Sequence, residues 1–294
     1  MIPALHLPPR LHELSPGFVV RRVLPAAARR AVGPFVFFDH FGPVTLPAGA
    51  DTDVNPHPHI GLATVTYLFA GRMLHRDSLG SVQPIAPGAV NWMTAGRGIV
   101  HSERALPEDR AQPRDLHGLQ LWVALPPQAE DCAPSFQHVP AADVPALDDG
   151  PAHLRLLAGT AFGARSPVRT AWPTLYLDVA LPAGAAWTLP PLFPDLAIYS
   201  PEAPLQLDGH LLPPGEMAVL AAGAPTTVAA IGAARFVVIG GDALPALPRL
   251  WWNFVASTPA RIAAAAARWE ADGFDPVPGE TARIRMPPLP AAGG

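Results

Sequence analysis

The chain has 294 residues, of which 49% are apolar and only 15% charged, with a formal net charge of −4; that composition can fill substantial cores and argues against global disorder. The charge offers no long-range attraction to nucleic acid or to an anionic lipid surface, so neither is expected as a direct partner. Cys132 is the single cysteine, so no intrachain disulfide can form, and a reduced, cytoplasmic location is the expectation.

Met1-Ile2-Pro3-Ala4-Leu5-His6 breaks with proline the apolar run that an export signal needs, so none is predicted. The basic pairs Arg21-Arg22 and Arg29-Arg30 read as solvated surface. Short apolar runs then recur between turn residues: Val19 to Leu24, Val65 to Phe69, Leu119 to Leu125, Leu175 to Leu181 and Phe236 to Ile239. With 39 prolines punctuating them, these predict many short strands joined by tight turns, an all-β sandwich or barrel. The stretch Pro126 to Gly150 is rich in Pro, Ala and Asp and shows little strand periodicity. Length favours two domains of about 130 to 150 residues, and the expected division is 1–131 and 132–294. Met217 to Ile239 is long enough to span a bilayer, but Gly223, Pro225, Gly232 and Arg235 interrupt it, so it reads as buried strands and turns and no membrane partner is expected. One helix is predicted, Pro259 to Ala271, with Ser257 or Thr258 as cap, Pro259 at its first position and Gly273 after its end. Met286 to Gly294 reads as a loose tail.

An internal repeat supports two similar domains. Pro87-Gly88, six residues and Ala95-Gly96 recur as Pro214-Gly215, six residues and Ala222-Gly223. Each pair of turns brackets an apolar strand, Ala89 to Met93 and Met217 to Leu220.

The chemistry concentrates in two short segments. His57-Pro58-His59 places two imidazoles at i and i+2, which face the same way on an extended chain, and His101-Ser102-Glu103 repeats the spacing with an imidazole and a carboxylate. If the two segments are neighbours, four donors meet at one mononuclear site. Three imidazoles and a carboxylate suit a borderline divalent ion rather than Ca²⁺ or Mg²⁺. Counting from Gly96, His101 and Glu103 stand five and seven residues on; the same count from Gly223 reaches Val228 and Ala230. The second domain is therefore expected to lack the ligands. Among the other histidines, His6, His12, His138, His153 and His210 read as surface, and His40, His75 and His117 as strand residues engaged in packing and hydrogen bonding.

The run Gly33-Pro34-Phe35-Val36-Phe37-Phe38-Asp39-His40-Phe41-Gly42, then Pro56-His57-Pro58-His59-Ile60-Gly61 and Thr64-Val65-Thr66-Tyr67-Leu68, then Asn91-Trp92-Met93-Thr94-Ala95-Gly96-Arg97-Gly98-Ile99-Val100-His101-Ser102-Glu103, resembles the pirin family of the cupin superfamily. The resemblance is dense over about residues 15 to 125 and thinner beyond, through Pro134 to Pro140 and Trp252-Asn253-Phe254-Val255. It implies two cupin, jelly-roll-like β-barrels in one chain, with a metal held in the first by His57, His59, His101 and Glu103. Fe(II) leads the expected ions, with Mn, Ni, Cu, Co and Zn as alternatives. The chain departs from the family where many relatives carry a glutamate after the second histidine; Ala63 and Thr64 stand there.

The resemblance further implies an oxidoreductase like the quercetin 2,3-dioxygenases, taking a small aromatic substrate and O₂. Glu103 is then the base for the substrate hydroxyl, and Phe37, Phe41, Trp92 and Met93 an apolar wall. The alternative class is a non-enzymatic iron-binding regulator of transcription factors or metabolic enzymes, with a protein partner; a metal-stabilised scaffold is a third.

Overall fold

Alternating burial along short runs, as in Phe18–Leu24, where Phe18 and Val20 are buried and Val19 is exposed, sets the character of the whole chain. The computed structural model describes residues 5–15 and 18–289; the opening Met1–Ala4 and residues 290–294 of the expected tail lie outside the described residues.

Two seven-stranded and two four-stranded sheets form two domains of one plan. The first large sheet runs, in spatial order, Ser135–Val139, Val90–Thr94, Leu62–Ala70, Arg114–Ala124, Phe35–Leu46, Phe18–Leu24 and Arg10–Ser15. Its companion runs Val54–His59, Ile99–Arg104, Met73–Asp77 and Val82–Ile85. The second large sheet runs Leu5–Leu7, Met217–Val219, Asp195–Tyr199, Ala234–Gly241, Thr174–Leu181, Ala152–Ala158 and Ala146–Asp149, and its companion Ala186–Leu189, Thr226–Ala230, Leu205–Leu207 and His210–Leu212. The order of strands is the same in both, so each position of one domain has a counterpart in the other. The all-β expectation holds. The repeated Pro-Gly and Ala-Gly pairs bracket counterpart strands, Val90–Thr94 and Met217–Val219, with Gly88, Gly96, Gly215 and Gly223 all at positive φ. The apolar window Met217 to Ile239 forms three strands, and no helix among the described residues is long and apolar enough to cross a membrane.

The domains are tied together by exchange. Leu5–Leu7 supplies the edge strand of the second large sheet, and Ser135–Val139, inside the stretch that looked least strand-like, supplies the edge of the first. The two large sheets pack back to back. Ala63, Val65 and Tyr67 from the first meet Tyr176, Ala197 and Val237 from the second in the largest buried cluster. Burying both outer faces against each other removes several aromatic rings from water, each a contribution of about 1.5 to 3 kcal/mol.

The C-terminal segment returns to the first domain. The helix Pro259–Glu270 begins as predicted, with the Thr258 hydroxyl accepting from the Arg261 N–H and Pro259 at its first position. Ile262, Ala265, Ala266 and Trp269 form its buried stripe, packed with Phe254, Phe274 and Val100. Glu130 fixes the start, its carboxylate accepting from the Ser257 N–H at 2.5 Å and the Ser257 hydroxyl at 2.8 Å.

Candidate metal centre

Val54–His59 lies at the edge of its sheet, so Pro56 and Pro58, which lack an N–H, cost it no ladder bond on the open side. It pairs antiparallel with Ile99–Arg104, His59 opposite Ile99 and His57 opposite His101. Two glycines let other backbone close in beside this pair. Gly61, at φ +66, would carry a Cβ 2.0 Å from the Val255 carbonyl oxygen, and Gly96, at φ +51, one 2.1 Å from that of Cys132. The Gly61 N–H donates to the Gly96 carbonyl at 2.9 Å, joining the roots of the two segments.

His57, His59 and His101 converge: one ring nitrogen from each lies within 4.8 Å of the other two, and all three residues are buried. The tautomers follow from their partners. His57 Nδ1–H donates to the Asn55 carbonyl at 2.8 Å and His59 Nδ1–H to that of Asn253 at 3.0 Å, so each neutral ring presents an Nε2 lone pair. His59 Nε2 lies 3.1 Å from His101 Nε2, while His101 Nδ1 is buried without a hydrogen-bond partner among the described residues. Burial holds the rings uncharged, with His57 lowered to about 4 and His59 and His101 well below the usual imidazole range. Three neutral nitrogens brought together, two of them on rings fixed by backbone carbonyls, fit a borderline divalent ion.

Glu103 stands differently. The register shifts between His101 and Glu103, which pairs with Val54, and such irregularities re-aim side chains. Its carboxylate is outside the 4.8 Å group but lines the same cavity as His57 and His59. Burial pushes the carboxyl up to about 7, with no hydrogen bond or ion pair among the described residues to offset it; a cation nearby would draw it back down.

The cavity holds about 690 Å³ between the two sheets of the first domain. Phe37 stacks on Trp122 at 4.1 Å and 15°, and Trp122 meets the His59 ring edge-on at 5.2 Å. Phe37 and Phe41 line the cavity as expected, but Trp92 and Met93 do not. Neighbours on a strand face opposite ways: Trp92 belongs to the interdomain core, and Met93 packs with Ala95 and Ile99. Trp122, Trp252 and Asn253 take part instead. The last two form the two-residue loop between Trp251 and Phe254, with Trp252 at φ 50, a strained conformation for a bulky residue beside the Asn253 carbonyl that His59 needs.

Other histidines divide less simply than expected. His75 is buried, bonded to Asp77 at 2.9 Å and stacked on Phe136, with its ring 5.4 Å from that of His101. His40 bridges Tyr199 of the second domain and His117 at 2.7 and 2.9 Å, and burial lowers it to about 3. His12 lines the cavity. Arg22, read as solvated surface, instead forks onto buried Asp39 with two bonds of 2.8 Å.

In the second domain the counterparts are apolar. Val228 pairs with Trp187 and Thr226 with Leu189, so Trp187, Leu189 and Val228 stand where His57, His59 and His101 stand, and Ala230 where Glu103 does. Trp187, Leu189, Val228 and Ala230 all lie in that domain's core.

Comparison with known proteins agrees with this architecture. The family models for pirin and for the pirin C-terminal cupin domain match residues 17–123 and 176–275. A pirin-like protein of Caulobacter vibrioides is 44% identical over 258 residues, covering 86% of this chain and 88% of that protein. The crystal structure of a quercetin 2,3-dioxygenase from Acinetobacter baumannii superposes with a TM-score of 0.91 at 35% identity, over 98% of this chain and 96% of that one. The bacterial pirin YhhW of Escherichia coli in complex with nickel(II) shares the fold, with a TM-score of 0.65 at 14% identity over 82% of this chain and 99% of that one.

Proposed function

The chain belongs to the pirin family, and from that premise we propose that it is a metal-dependent dioxygenase acting on flavonols such as quercetin. The observation that carries this reading is the convergence of three uncharged imidazoles, two of which, His57 and His59, line a 690 Å³ cavity with aromatic walls. His57, His59 and His101 would hold a divalent ion through Nε2, with a Glu103 oxygen as fourth donor. Such an ion, when bound, supplies Lewis acidity toward an acidic hydroxyl and, where redox-active, a path for electrons to O₂.

The chain's own groups do the remainder. The Phe37–Trp122 pair gives the cavity an aromatic wall beside His59, along which an aromatic ring system can pack. Glu103 lines the same cavity, and an oxygen of its carboxylate left free by the ion would take the proton of the substrate hydroxyl. The Asn55 and Asn253 carbonyls keep His57 and His59 from rotating while that happens.

Protein reconstituted anaerobically with Fe(II), Mn(II), Co(II), Ni(II), Cu(II) or Zn(II) and then given quercetin and O₂ should consume O₂ and release CO in equal amounts with at least one ion. Stoichiometric metal binding without turnover for every ion would overturn the enzymatic reading in favour of an iron-binding regulator.

A further inference from the structure

A row of polar side chains crosses the inner face of the first large sheet. Arg22 is opposite Asp39, Asp39 opposite Gln120, Gln120 opposite Thr66 and Thr66 opposite Asn91 on successive strands; directly opposed residues share a face. Beyond the Arg22 fork onto Asp39, the Thr66 hydroxyl donates to Gln120 Oε1 at 2.7 Å. Asp39, Thr66 and Asn91 are each at least 95% buried.

The fold does not require this row. The counterpart row of the second domain is Leu156, Leu177, Val238, Ile198 and Ala218, paired in the same succession and fully buried. The repeat fixes the alignment, since Asn91 and Ala218 each stand three residues after the glycine of their Pro-Gly turn. An apolar row serves the same scaffold, whereas burying amides and a carboxylate carries a desolvation cost that hydrogen bonding only offsets. A ligand that uses those groups would give the polar row its purpose.

Three members, Arg22, Asp39 and Gln120, line the cavity. Their row is two residues along from Phe37 and Trp122, about 7 Å at the usual strand rise, on the far side of that aromatic pair from His59. We propose that Arg22, Asp39 and Gln120 form a second recognition subsite, which takes a hydroxyl at the far end of a flat, multi-ring phenol whose near oxygen points to the histidines. Asp39 accepts from that hydroxyl. Gln120, its own carbonyl engaged by Thr66, donates through its amide nitrogen. Arg22 holds Asp39 in place and lies over the Phe37 ring at 4.5 Å, which ties the polar row to the aromatic wall.

The inference rests on the cavity being the ligand site of the proposed function, but its test needs no turnover. Zn(II)-loaded wild-type protein is titrated calorimetrically with 2-naphthol and with 2,6-dihydroxynaphthalene, which differ only in the distal hydroxyl. The diol should bind about tenfold more tightly. In Gln120→Leu, and in Gln120→Met as a second variant of similar volume, the preference should fall below about threefold with metal content unchanged. Equal affinities in the wild type, binding of neither phenol, or an undiminished preference in a variant that retains its metal would each overturn the subsite. The dioxygenase reading fails separately, through absent O₂ uptake with quercetin, whichever way the naphthols bind.

Discussion

The two domains of this chain share strand order and register, yet at counterpart positions one carries His57, His59, His101, Glu103 and a buried polar row, while the other carries Trp187, Leu189, Val228, Ala230 and a row of aliphatic side chains. The double-sheet scaffold thus accepts either filling. Closely packed apolar side chains give stability directly. Replacing them with imidazoles and carboxylates opens a cavity and leaves polar atoms such as His101 Nδ1 and Asn91 Nδ2 without a partner among the described residues. The first domain tolerates this because the second is packed against its outer face and the C-terminal helix covers its flank. Stability and chemistry are thus divided between halves built alike.

The sharpest way to break that division is to empty the filled half. Trp187, 4% exposed and packed near Phe236, should cost about 3 to 5 kcal/mol when changed to Ala, measured by denaturant unfolding, with metal content unaffected. Trp122→Ala, facing an existing cavity, should cost less stability and more ligand affinity. Next comes insertion of one ligand into the wrong half. Val228→His places an imidazole in an aliphatic core where no carbonyl has been aimed at it, and a loss of about 2 to 4 kcal/mol is expected, without a second equivalent of metal in the elemental analysis.

Acid should act on the first domain. The buried histidines among the described residues, His40, His57, His59, His75, His101 and His117, all belong to it. His40 is lowered to about 3 and His57 to about 4, by burial first, so between these values and about 6.5 the unfolded chain binds protons that the folded chain refuses. Stability of the metal-free protein therefore falls as pH drops from about 6.5 toward 4, and its melting temperature should follow; bound metal should blunt the effect. The smallest expected change has the opposite sign. The Glu103 carboxyl is raised to about 7 by burial, so ionising it costs stability that grows from about pH 4.5 to 7 and persists above. Glu103→Gln should raise the melting temperature of metal-free protein at pH 8 by a few degrees while weakening metal binding.

Much of the fold was legible because it is written in local terms. Period-two burial, Pro-Gly turns and the Thr258-Pro259 helix start depend on neighbours in the chain, and the strands and helix fall where these place them. The repeat even marks Val228 and Ala230 as the counterparts of His101 and Glu103. What escaped were facts of return and facing. Nothing local says that Ser135–Val139 will edge the first sheet, or that the Asn253 carbonyl will reach back to His59. Arg22 looked like half of a solvated basic pair because its partner Asp39 is distant in the chain. Trp92 and Met93 could have been separated by strand alternation alone, since adjacent residues cannot both face one cavity. Trp122 sits at an inward position of a strand already recognised, and the same alternation would have found it.

Whether three imidazoles of the first domain hold one divalent ion is read from the elemental analysis of protein purified without added metal, beside His59→Ala. About one equivalent of a first-row transition metal per chain in the wild type, and less than about a tenth of that in the variant, is the predicted result. A wild type without any such metal, or a variant that keeps its full equivalent, would contradict it.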